Sequence, residues 1–200
     1  MEMERRFLTL ESNDIELRKA EDGAIGIRGK GAVIGPLSVD LGGFRERNSE
    51  GAFDDAIEAS DIRGLFNHDA NYVLGRMGRT MKVSADSRGM FYDIAELPAS
   101  RADVAEAIER GDVTGSSYSF TLKEGGARYD EEDGVLIRTI LPGGVSRIFD
   151  MGPVTFPAFP DATVSKRCED VIREFLGETD YRHLLDLRRR RMDLSVAEGL

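Results

Sequence analysis

Cysteine occurs once in these 200 residues, at Cys168, and histidine only twice, at His68 and His183. A single cysteine cannot build an internal disulfide framework or a cysteine-rich zinc site. Histidines so few and so far apart do not cluster, so neither a metal nor any other cofactor is expected. No apolar run approaches the ~18 residues needed to cross a bilayer. Residues 1–20 lack the apolar middle of a secretory signal. The expectation is therefore a cytoplasmic protein with no membrane contact. Basic charge is short as well: 27 Lys and Arg stand against 37 Asp and Glu, a net charge of −10. That balance argues against direct nucleic-acid binding by the domain as a whole. The glycines between Gly23 and Gly35 open no G-x-G-x-x-G turn and precede no Gly-Lys-Ser/Thr, so a phosphate-binding loop is absent. The run Gly115-Ser116-Ser117-Tyr118-Ser119 fails the nucleophile elbow, because serine stands where its last glycine belongs. It also follows a helix and enters a strand, the reverse of the elbow's setting, which argues against an α/β-hydrolase.

What the chain does have is alternation. Residues 5–10 and 14–19 alternate apolar and polar in part, as half-buried strands do. The glycine-rich stretch 23–35 reads as twisted strands with turns or bulges. Residues 36–51 read as a loop with a charged tip, and 52–59 as a short helix. Ile62 to Phe66 reads as a short strand ending at Asn67-His68-Asp69. Leu74–Val83 and Met90–Leu97 look like a hairpin. Residues 101–110 suit a helix with Ser100 as its cap and Gly111 just past its end. Strands follow over 113–123, 135–140 and 145–149, and Pro153, Pro157 and Pro160 then enforce an extended path. From Ser165 the apolar spacing becomes helical, and Arg188 to Arg191 form a basic run that suits a solvated helix end or a docking tail. The expectation is a mainly β fold with flanking helices, closed or nearly closed as a β-barrel, followed by a helical C-terminal tail.

Three segments can carry chemistry. A serine hydroxyl is a poor nucleophile near neutrality and needs a base in reach, which in turn needs a group to fix its tautomer. His68, at a strand end among polar residues, is the better placed of the two histidines. Ser117 lies in a serine-rich strand, and Asp150 ends another strand. Taken singly each has a plainer reading: a turn histidine bonded to backbone, a strand serine, a carboxylate paired with Arg147.

Taken together the segments resemble the prohead maturation proteases of tailed bacteriophages, a family related in fold to the herpesvirus assemblins. The similarity runs through Gly51-Ala52-Phe53, then Leu65-Phe66-Asn67-His68-Asp69 with Leu74-Gly75-Arg76. It continues through Arg110 to Phe120, and ends with Asp150-Met151-Gly152-Pro153-Val154-Thr155-Phe156-Pro157-Ala158-Phe159-Pro160. Four motifs in order are more specific than any one of them. The resemblance implies a serine endopeptidase with His68 as base, Ser117 as nucleophile and Asp150 as third member. It implies cleavage of scaffold and of the scaffold-like part of the major capsid protein, inside the immature capsid in the host cytoplasm. It also implies self-cleavage, which suits a protease domain over 1–165 and a removable tail over 166–200. A homo-oligomer is compatible with this reading. A non-catalytic scaffold or capsid-associated protein on the same barrel is the alternative, and a barrel hydrolase of another ester or amide is a second.

Overall fold

The computed structural model describes residues 3–9, 15–21, 23–41 and 43–156. The helical tail expected from Ser165 onward lies outside them. Among the described residues the chain is mainly β, with two short α-helices and one 3-10 turn. In chain order the strands are β1 (Glu4–Thr9), β2 (Ile15–Lys19), β3 (Ile25–Val33), β4 (Phe44–Asn48), β5 (Arg63–Leu65) and β6 (Val73–Arg76). They continue as β7 (Met81–Asp86), β8 (Gly89–Ile94), β9 (Gly115–Leu122), β10 (Ala127–Glu132), β11 (Val135–Ile140) and β12 (Val145–Val154). Helix α1 (Asp54–Ala59) precedes β5 and α2 (Ala102–Glu109) precedes β9.

The expected closed barrel is not what the strand pairing gives. Hydrogen bonds join the strands into three sheets, ordered β1-β9-β12-β5-β6, β10-β11-β4 and β2-β3-β8-β7. The core forms where these sheets face one another. Ile27, Met90, Tyr92 and Ile94 come from the four-stranded sheet. Tyr118, Phe120, Ile148 and Met151 come from the five-stranded one, and Ile140 from the third. Each is essentially excluded from solvent. Phe53, just ahead of α1, meets the Tyr118 ring edge-on at 5.6 Å.

Several boundaries moved for identifiable reasons. The stretch read as a loop over 36–51 contains β4, which runs parallel to β11. Its sequence, Phe-Arg-Glu-Arg-Asn, hides the alternation because its second inward residue is the buried Glu46. The first arm of the expected hairpin is two strands, since Gly78 takes a left-handed turn at φ 77° between β6 and β7. Those two strands belong to different sheets, and the hairpin itself is β7–β8. Strand β10 is charged almost throughout, so no apolar pattern announces it.

The helix before the serine strand ends as its sequence suggests. Gly111 is left-handed at φ 79°, its N–H donates to Ile108 O at 3.0 Å, and Asp112 N–H donates to Ala107 O at 2.9 Å. That double bond is a Schellman stop, and glycine tolerates the conformation at little steric cost. The helix start differs from expectation, because Ser100 makes no cap. A 3-10 turn over Ala99–Arg101 leads in, with Pro98 ahead of it.

Candidate active site

The centre of the five-stranded sheet holds the site. In β9 the side chains alternate, so neighbouring serines face opposite ways. Ser116 points into the core, where its hydroxyl and that of Tyr92 lie 2.9 Å apart. Ser117 and Ser119 point to the other face. Strand β12 runs antiparallel beside β9, with Asp150 opposite Ser119 and Gly152 opposite Ser117. Gly152 leaves open the space through which the end of β5 passes. A Cβ there would come within 2.2 Å of Leu65 O.

His68 reaches this face from the loop after β5. Asn67 and His68 are both left-handed, at φ 53° and 58°. For a residue other than glycine that conformation costs ~1–2 kcal/mol and needs support from its surroundings. Here the support is a clasp between Asn67 and the end of β12. Asn67 N–H donates to Pro153 O at 3.1 Å, and Thr155 N–H donates to Asn67 Oδ1 at 2.9 Å. Asn67 Nδ2 also donates to Thr155 Oγ1 at 3.1 Å. The sequence contains Asn67 in the histidine motif, but nothing in it announces that the side chain spans to Thr155.

All three residues expected from the sequence come together. His68 Nε2 lies 2.5 Å from Ser117 Oγ, and His68 Nδ1 is hydrogen-bonded to Asp150 Oδ1. Ser119 Oγ stands 3.1 Å from the same Nδ1. The His68 and Asp150 side chains are only 7% and 10% exposed, and Ser117 is fully buried. A hydroxyl against one imidazole nitrogen and a carboxylate against the other is the arrangement that base-assisted nucleophilic attack requires. Asp150 is not paired with Arg147, whose guanidinium lies over the Phe149 ring at 4.9 Å.

Strand β1 completes the surroundings. Phe7 stands opposite Ser117 in register, and its ring meets the His68 imidazole edge-on at 5.9 Å. Ser117 Oγ donates to Arg6 O at 2.9 Å. On the opposite face of β1, Arg6 Nε donates to Glu46 Oε1 at 2.8 Å, and Arg138 Nη2 donates to Glu4 Oε2 at 2.8 Å. Arg138 Nε adds a bond to Glu46 Oε2 at 2.6 Å. Burial pushes the Glu46 carboxyl from 4.5 up to about 7, with Arg6 pulling it back and Glu4 raising it further. None of this charge cluster is legible as a site in the sequence. Among the described residues no group of three or more His, Cys, Asp or Glu is arranged to hold a metal ion. No described helix is long and apolar enough to cross a membrane.

A family model for caudovirus prohead serine proteases matches residues 13–174. Among solved structures, the bacteriophage T4 capsid assembly protease is similar, at 12% sequence identity and a TM-score of 0.43. The match covers 76% of this chain and 98% of that one. None of the curated proteins matches the sequence.

Proposed function

The chain belongs to the caudovirus prohead serine proteases, and from that membership we propose that it is a serine endopeptidase that matures phage proheads. Its nucleophile is Ser117, its general base His68, and Asp150 orients the imidazole. The observation that carries the reading is the pair of contacts on the one imidazole ring, to Ser117 Oγ at 2.5 Å and to the Asp150 carboxylate.

The steps are those of acyl transfer. Ser117 Oγ bonds to the scissile carbonyl carbon as its proton passes to His68 Nε2. Asp150, against Nδ1, holds the tautomer that leaves Nε2 free to accept and steadies the imidazolium that results. When the tetrahedral intermediate collapses, the C–N bond breaks and His68 returns the proton to the leaving amine. Water, deprotonated by the same imidazole, then bonds to the acyl carbon; the C–Oγ bond breaks and His68 returns the proton to Ser117 Oγ.

On this reading its substrates are scaffold and the scaffold-like part of the major capsid protein, met inside the immature capsid within the host cell. Self-cleavage belongs to the same reading, with residues 1–165 as the protease and 166–200 as the segment removed. The test is incubation of the purified protein with capsid and scaffold proteins. The parent should shorten its substrates and itself. Ser117→Ala should leave full-length products, with the rate down by ~10⁶. Ser116→Ala should keep most activity, because that hydroxyl serves Tyr92 in the core. The reverse pattern would move the nucleophile to Ser116. A chain that reacts with a fluorophosphonate at Ser117 but cleaves neither protein would be a hydrolase of another substrate. A chain that does neither would be an assembly protein.

A further inference from the structure

A nucleophile must be reached by the carbon it attacks, yet Ser117 is completely buried. Beside it on β9 runs β1, with Phe7 opposite Ser117 in register and the Arg6 carbonyl 2.9 Å from its hydroxyl. Among the described strands β1 lies at the edge of its sheet and pairs with β9 alone. None of its described side chains belongs to the hydrophobic core cluster. The matched family region begins at residue 13, after β1 has ended.

The two faces of β1 do different work. Outward, Phe7 closes over the His68 ring. Inward, Glu4 and Arg6 tie the strand to Glu46 and Arg138. Between them the backbone acts directly on the chemistry. Ser117 has one hydroxyl proton and two acceptors within reach, Arg6 O at 2.9 Å and His68 Nε2 at 2.5 Å. Attack requires that the proton go to the imidazole. A carbonyl held by β1 competes for it.

We infer that β1 is an autoinhibitory strand, latched by the Glu4–Arg6–Glu46–Arg138 cluster, which must leave β9 before a peptide substrate can reach Ser117. The physical logic favours reversible release. An edge strand outside the core can part from its one neighbour without breaking the rest of the sheet, so it belongs to the less stable part of the fold. Its anchor is electrostatic and largely shielded, with side-chain exposures of 14% at Arg6 and 17% at Glu4, so neutralising one partner leaves the others uncompensated and loosens the strand.

This inference rests on Ser117 as nucleophile, and the experiment separates the two. Two variants of the full chain loosen β1 from opposite faces: Glu4→Gln weakens the latch, and Phe7→Ala uncovers the imidazole. Each is compared with the parent by two reagents, a fluorophosphonate for Ser117 and diethyl pyrocarbonate for His68, both read by peptide mass. The parent should react slowly at both residues and each variant at least ~10-fold faster, since access follows local opening. His68 reacting faster in the variants while Ser117 stays inert in every chain would keep the latch and remove Ser117 as nucleophile. Fast labelling of Ser117 and His68 in the parent, matched by the variants, would keep the nucleophile and overturn the latch. Slow reaction that loosening does not change would overturn it too.

Discussion

The division of labour in the site is set by single residues and their parity along two strands. Alternation sends Ser116 to Tyr92 and Ser117 to His68, so adjacent hydroxyls cannot exchange roles without a register slip. Gly152 is equally specific, because any side chain there would strike the Leu65 carbonyl on the way to His68. Replacement of His68 by alanine should lower peptide cleavage about as much as Ser117→Ala, by ~10⁶, and the double variant should be no worse. The pair acts as one unit, so additive losses in a single-turnover assay would show that the two residues work separately. Asp150→Asn should cost up to ~10⁴, since an amide can hold the ring in the wrong tautomer. Parent-like cleavage in that variant would remove Asp150 from the site.

At the scale of elements, β1 and β4 meet through charge. Glu46 on β4 sits among Arg6, Glu4 and Arg138, with Arg138 only 3% exposed. Its carboxyl is raised from 4.5 to about 7, chiefly by burial. In the unfolded chain it loses its proton at the ordinary value. Between the two values the folded state therefore binds the extra proton. The stability this group contributes is fully present below its unfolded value and is lost as pH rises through about 7. Glutamine keeps the shape without the titration. Relative to the parent, Glu46→Gln should therefore gain in Tm as pH is raised from about 5 to about 8. Calorimetry across that range decides the matter. A parent that gains on the variant instead would mean that pairing with Arg6 and Arg138 outweighs burial.

For the whole molecule, among the described residues the buried core cluster and the three site residues fall between Ile27 and Met151. A domain of this size can bury a core of its own, whereas a 35-residue segment can bury little alone. A chain ending at Ser165 is expected to stay soluble and to carry Ser117 in a folded site. Circular dichroism and fluorophosphonate labelling test this. Insoluble or unlabelled protein would show that residues 166–200 complete the fold.

Much of this was determined by local sequence. The strand character of 113–123, the glycine stop of α2 at Gly111 and the order of the His68, Ser117 and Asp150 motifs depend on near neighbours, and near neighbours reveal them. Strands β4 and β10 escaped, because charged residues carry no apolar period. Glu46 becomes an inward residue only when Arg6 and Arg138 arrive from elsewhere in the chain. The division into three sheets escaped as well, since pairing is settled by which edges meet and no strand encodes its partner. The distance from His68 to Ser117, the clasp from Asn67 to Thr155 and the bond from Ser117 to the Arg6 carbonyl span roughly fifty to more than a hundred residues of chain. Contacts so far apart in sequence are decided by tertiary packing, because only the folded sheet brings their side chains to one face.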